Sequence, residues 1–277
     1  KGAFGPLCFC TGAKLGGPFA TPPRMSSAPL DANAAFRAGQ QAVAAGRLEE
    51  ARAHFRAAAE ANGHPDALLN LSYLGSKDGR YREPLELALR VFEQSPRSLP
   101  QAIQLLSRLR NFNQSWAIRA FIDRSPFLLE ATDPRALHAV AVQLSYIGDA
   151  AGAVRFLDRA LRFHAGAPPL LLARAQNLVI LGRFDDARRD LQDCLKRAPA
   201  MGPAWWTLAQ LPGREAVPGR VDAIRRQLAA AREPLERAYL GYALHKELDD
   251  AGDIAGACEA LTLANQAMRP TVPYDDA

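Results

Sequence analysis

The chain has 277 residues, 48% of them hydrophobic and 23% charged, with 34 Lys and Arg against 29 Asp and Glu. That composition suits a folded protein with a sizeable core, and the net charge of +5 is spread along the chain without the basic stripe that nucleic-acid binding needs. No apolar run approaches the roughly 20 residues of a membrane span. The four cysteines, Cys8, Cys10, Cys194 and Cys258, complete neither a disulfide framework nor a zinc site, so a reducing cytoplasm is the expected compartment.

Residues 1–30 are rich in Gly, Pro, Ser and Thr and contain no continuous apolar core of a signal peptide. They read as a disordered leader, opened by Lys1, with Met25 as a candidate start. Thr11 to Gly17 is Gly-rich and contains Lys14 but lacks the spacing of a phosphate-binding loop.

From residue 31 a phrase recurs: a Gly, a short polar turn, and an Ala five places on. It occurs as Gly46…Ala51, Gly148…Ala153, Gly182…Ala187 and Gly252…Ala257. Gly79 opens the same phrase with Pro84 in the Ala slot, and Asn111–Ser115 opens it with Ala117 there. Gly46 to Gly79 is 33 residues, Gly148 to Gly182 is 34, and Gly182 to Gly252 is 70, two units of 35. Each slot has a physical reason. The Gly lets the chain reverse between two antiparallel helices, and the Ala lies where those helices cross closely. Four residues beyond it comes a large apolar residue (Phe55, Leu157, Leu191, Leu261), and three further a small one (Ala58, Ala160, Cys194, Ala264). That spacing is one helical face. Pro65, Pro96, Pro126, Pro168 and Pro199 follow second helices and are expected to stop them.

A 34-residue period with this phrase resembles the tetratricopeptide repeat (TPR). The resemblance implies an all-α, right-handed superhelical solenoid of antiparallel helix pairs, about six to seven repeats over this length, with one irregular insertion. The array is expected over 31–211, an irregular linker and helix over 212–233, a terminal helix pair over 234–270 and an extended exit tail over 271–277. The tail has no capping helix, which suggests that more chain follows.

A narrower resemblance lies in 203–277. Pro203-Ala204-Trp205-Trp206-Thr207-Leu208-Ala209, the segment Leu240 to Asp253, Ala264-Asn265 and Tyr274-Asp275 resemble the region preceding the catalytic domain of bacterial TPR-sulfotransferases. His245 stands where that family usually has Gly. The resemblance implies a downstream domain using 3′-phosphoadenosine 5′-phosphosulfate, with this chain as its substrate-recognition part. The sequence has no Ser-Gly or Gly-Thr step of the kind a donor-binding loop needs, so no catalytic, cofactor-binding or metal residue is assigned.

His54, His64, His138, His164 and His245 are scattered over different repeats, and the Asp185-Asp186 and Asp249-Asp250 pairs suit turns and helix starts. What remains is binding. In such solenoids the first helix of each unit lines the concave groove. Counting back from each turn places Phe36, Gln40, Val43, Leu69, Tyr73, Ser76, His138, Val142, Gln176 and Val179 there, for a protein or peptide partner. The slots of the carboxylate clamp known in chaperone-binding TPR proteins hold Phe36, Gln40, Ile103 and Ser107, with only Asn70 matching, so a chaperone C-terminus is not expected. Trp205 and Trp206, about 100° apart on a helix, are expected to anchor the irregular segment.

Overall fold

The computed structural model describes residues 31–212 and 219–272. Among them the chain is all-α, without a strand. Helices α1 (Ala32–Ala44) and α2 (Leu48–Asn62) form the first pair, α3 (Pro65–Lys77) and α4 (Arg82–Gln94) the second, and α5 (Leu99–Asn111) and the short α6 (Ser115–Asp123) the third. A one-turn α7 (Phe127–Glu130), unforeseen in the sequence, follows, and its Leu128 is buried. Two regular pairs come next, α8 (Pro134–Tyr146) with α9 (Ala150–Phe163) and α10 (Pro168–Ile180) with α11 (Phe184–Arg197). The regular rhythm then breaks at α12 (Gly202–Ala209) and α13 (Arg220–Ala230), and resumes with α14 (Pro234–Asp250) and α15 (Ile254–Met268).

The turns repeat one hydrogen-bond pattern. After each first helix, the residue following the turn residue donates its N–H five places back: Arg47 to Ala42, Arg80 to Gly75, Gln114 to Leu109, Asp149 to Leu144, Arg183 to Leu178 and Asp253 to Leu248, at 2.9 to 3.2 Å. This is the Schellman closure, which satisfies orphan carbonyls and requires a left-handed residue at its centre. Gly46, Gly79, Gly148, Gly182 and Gly252 supply it with φ between 72° and 80°, and Asn113 with φ 55°. A Cβ added to any of those five glycines meets nothing within 4 Å. The glycines are therefore present for their backbone conformation and not for lack of space around them.

The small slots are where space is scarce. Ala51, Ala117, Ala153, Ala187 and Ala257 are all buried. In the second pair Pro84 fills that slot, and the facing residue is Gly75, whose added Cβ would lie 2.6 Å from the Pro84 ring. The reading of the prolines needs a correction. Pro65 and Pro168 sit in the first turn of α3 and α10, where a missing N–H costs nothing. They open the next repeat as much as they close the last.

First helices touch one another in series, α3 with α5, α5 with α8, α8 with α10, α10 with α12, and α12 with α14. Second helices pack against the flanking first helices, and consecutive second helices make no comparable contact. The first helices are thus the inner row of a curved array. The core is a chain of clusters along this row, the first reaching from Ala42 to Leu170, the next centred on α10 and α11, and the last joining α13, α14 and α15.

At the break, α13 packs on α14. Its first residue, Arg220, is buried with Glu247 of α14, Nη1 to Oε1 at 3.3 Å. Trp205 donates its ring N–H to the Pro199 carbonyl at 2.8 Å and packs against two core clusters. Trp206 lies against Tyr242, ring centres 5.7 Å apart. Both tryptophans thus sit on the seam between α12 and its neighbours. The leader, 213–218 and the end of the exit tail lie outside the described residues.

Candidate functional site

The inner row sorts the sequence-derived groove residues into three groups. Gln40, Val43, Tyr73 and Gln176 are exposed on it. His138, Val142, Val179 and Ser76 are half-buried, and Val179 also packs against the core. Phe36 and Leu69 are corrections. Leu69 is 2% exposed and belongs to the core between repeats. Phe36 is half-buried, with its ring stacked on His64 at 4.6 Å and tilted against Phe55 at 5.7 Å. Phe36 is held by α2 and by the residue that opens α3, and Leu69 belongs to the buried core cluster. Asn70, the one clamp match, spends its amide on the Asp66 carbonyl, 2.7 Å away, which is a turn of its own helix.

Two exposed apolar residues were missed. Tyr146 is 70% exposed and Ile180 65%, each two places before a turn glycine. The register was readable, since Lys77 and Asn111 occupy the same slot before Gly79 and Asn113. That slot falls on the last turn of the inner helix, outside the stretch whose apolar spacing defines the core face.

A second register, five places before the turn residue, holds Gln41, which is exposed, and then Leu74, Arg108, Gln143, Asn177 and Glu247. Leu74, Gln143, Asn177 and Glu247 are buried. Buried polar groups need partners. The Asn177 amide donates to Ala173 O at 2.8 Å, and its Oδ1 accepts from the Ser145 hydroxyl at 2.9 Å. Gln143 donates to Ala139 O at 3.2 Å, while its Oε1 is buried without a partner among the described residues. Arg108 has no such arrangement. Its Nη1 is closed off from solvent and has no hydrogen-bond partner among the described residues. Burial, with the nearby Arg110 charge, lowers its pKa from the usual guanidinium value, partly opposed by Tyr73.

Around Arg108 the inner face is basic and aromatic. Its guanidinium carbon lies 4.9 Å from the Tyr73 ring centre, and Lys77 Nζ lies 5.6 Å from the same ring. Arg110, on the other flank of α5, covers the Tyr146 ring at 4.5 Å. Such contacts contribute roughly 0.5–1 kcal/mol each at exposed sites. A cavity of about 420 Å³ opens here, lined by Tyr73, Ser76, Lys77, Tyr81, Arg108 and Asn111 among others.

The acidic side chains nearest this cavity, Asp78 and Glu83, are engaged by Arg52 and Arg80. Asp78 is held well below the usual carboxylate range by its hydrogen bond to Arg80, and it also receives the buried Arg52 at 2.8 Å. Between the fourth and fifth repeats, Arg174 makes a two-pronged bond to Asp190, 2.7 Å at each prong, and a third to Asp158 at 2.7 Å. That network raises the Arg174 pKa. It joins α9, α10 and α11, and a cavity of about 280 Å³ beside it is lined by these ions, by Asp186 with its partners Arg183 and Arg189, and by Val154 and Leu178. Burial pushes the Cys194 thiol up to about 11, which keeps it an inert core residue.

Comparison with solved structures settles the architecture. A tetratricopeptide repeat protein from Parabacteroides merdae aligns over 84% of this chain and 98% of its own, at 14% identity and a TM-score of 0.53. The C-terminal part of a TPR repeat-containing protein from Cytophaga hutchinsonii aligns over 86% and 96%, at 13% identity and a TM-score of 0.55. The chain has the tetratricopeptide-repeat fold. No protein-family model and no curated protein matches the sequence. Among the described residues of this TPR array, no three His, Cys, Asp or Glu side chains converge as a metal ligand set. No described helix is long and apolar enough to cross a membrane.

Proposed function

We propose that the TPR array is a scaffold whose inner face holds a peptide or a partner protein, without catalysis by this chain. The observation that supports this is the run of exposed side chains, Tyr73, Tyr146, Gln176 and Ile180, on α3, α8 and α10, inner helices linked in series through α5. Apolar groups held in water on a concave face of a solenoid mark a contact surface. Their helices are fixed by a close-packed core, so a partner would meet a preformed surface and lose little entropy in ordering it. The free Cys194 and Cys258 suit a reducing cytoplasm.

Selection from a random peptide phage library on the purified chain tests the reading. Selected peptides should lose binding to the variants Tyr73→Glu and Gln176→Glu and keep it for Arg90→Glu on the outer helix α4. Binding indifferent to both inner-face changes rejects the groove.

The alternative is the substrate-recognition part of a sulfotransferase, for which the Trp205-Trp206 segment and the stretch to Tyr274 speak by resemblance. Reading the gene beyond Ala277 tests it. A basic-Ser-Gly-Thr loop following a strand supports it, and an immediate stop codon removes it.

A further inference from the structure

The inner face is not uniform in charge. Lys77, Arg108 and Arg110 face the groove at the ends of α3 and α5, and none is paired with an acidic side chain among the described residues. Arg80, the other cation of the cavity, is committed to Asp78 and Glu83 at 2.7 and 3.1 Å. Farther along the row the face becomes neutral, with Val142, Tyr146, Gln176, Val179 and Ile180.

An unpaired, partly desolvated cation is expensive, and part of the cost is recovered when an anion accepts hydrogen bonds from the side of the guanidinium that lines the cavity. In the other described repeats the same register is occupied by a neutral residue, or by Glu247, which is paired with Arg220. Arg108 thus departs from the pattern of its own array in the direction of anion binding. The residues also differ from the chaperone-clamp slots, which here hold Phe36, Gln40, Ile103 and Ser107.

We propose, building on the groove reading above, that the cavity at the ends of α3 and α5 takes the carboxylate of an acidic peptide segment on Arg108 and Lys77, with apolar residues of the same segment continuing over Tyr146 toward Ile180. The guanidinium offers a fork of donors matched to a carboxylate, and the Tyr73 ring holds that fork in place from one side. Arg110 stands at the passage from the charged end to the neutral end. The charge pattern is what selects a peptide. A nucleic acid carries a charge at every step and needs a continued basic track, whereas this face offers one cationic end and then an apolar path. One or two acidic residues followed by apolar ones match both parts.

The test compares peptide selections. A random dodecapeptide phage library is panned on the full chain and on Arg108→Gln, whose unaltered fold is checked by its circular dichroism melt. Peptides from the native chain should be enriched in Asp or Glu next to Leu, Ile or Phe, and the acidic enrichment should vanish with Arg108→Gln. By fluorescence polarisation, an enriched peptide should bind Arg108→Gln about tenfold or more weakly, and Arg108→Lys should restore part of the loss. Raising salt from about 0.05 to about 0.5 M should weaken the native complex much more than the Arg108→Gln complex. Selected peptides without acidic enrichment would overturn this proposal and leave the groove reading standing, while no selection at all would remove both. Equal displacement by a single-stranded oligonucleotide of about 12 residues would assign the face to nucleic acid and also overturn it.

Discussion

Two glycines separate the two uses this array makes of the residue. At Gly182 the backbone is left-handed, φ 72°, and an added Cβ meets no atom within 4 Å. Gly182→Ala should therefore cost only the conformational penalty, about 1–2 kcal/mol. Gly182→Asn should cost less, below about 1 kcal/mol, because Asn tolerates that region and Asn113 performs the same turn at φ 55°. Gly241 is in the interior of α14 at an ordinary helical angle, where Ala would gain about 0.5–1 kcal/mol from propensity alone. Its added Cβ, however, would lie 2.8 Å from the Ala264 Cβ and 3.1 Å from the Ala264 Cα of α15. A Cα cannot swing aside, so α15 must shift, at about 1–3 kcal/mol for overpacking. The net effect of Gly241→Ala is a loss of about 1 kcal/mol or more, partly recovered in the double variant with Ala264→Gly. Urea unfolding followed by circular dichroism gives the midpoints, with hydrogen exchange of α14 and α15 to localise the loss, since repeat arrays need not unfold as one unit. Gly182→Asn as costly as Gly182→Ala, or a stabilised Gly241→Ala, would refute this division.

Arg220→Met removes one buried partner of Glu247 and should destabilise the C-terminal segment by about 1–3 kcal/mol, seen as faster hydrogen exchange in α13 and α14 with the first repeats unchanged. Burial lowers the His138 pKa below the ordinary value of about 6.5, so the unfolded chain takes the proton more readily. The stability tied to neutral His138 should be full above that pH and decline as pH falls through the lowered value. His138→Gln should remove that slope, as pH-dependent melting would show. With iodoacetamide at neutral pH, peptide mass spectrometry should find exposed Cys258 modified and Cys194 protected until the chain unfolds, because its thiol is buried and raised to about 11.

The repeat was legible because its geometry recurs. Every Schellman turn requires a left-handed residue and every helix crossing a small one, so Gly and Ala return at a fixed interval. What was not legible depends on contacts between repeats. Leu69 and Phe36 have the spacing of groove residues, yet the one is buried in the core and the other is packed between His64 and Phe55. Tyr146 and Ile180 lie one step past the apolar stripe, where no periodicity marks them. The oddity of Arg108 shows only once its register is compared across units and its Nη1 is found without a partner. Helix α7 is too short for any periodic signal, and the roles of Pro65 and Pro168 turned on which side of a helix boundary they fell.

The inner-face account is tested most directly by photo-crosslinking. p-Benzoylphenylalanine is placed at position 73 on the inner helix α3, or at position 90 on the outer helix α4, and each protein is irradiated with a peptide selected on the native chain. Crosslinks from position 73, mapping to the peptide, and none from position 90 are the expected result. Crosslinks from position 90 with none from position 73 would contradict the assignment of binding to the inner row.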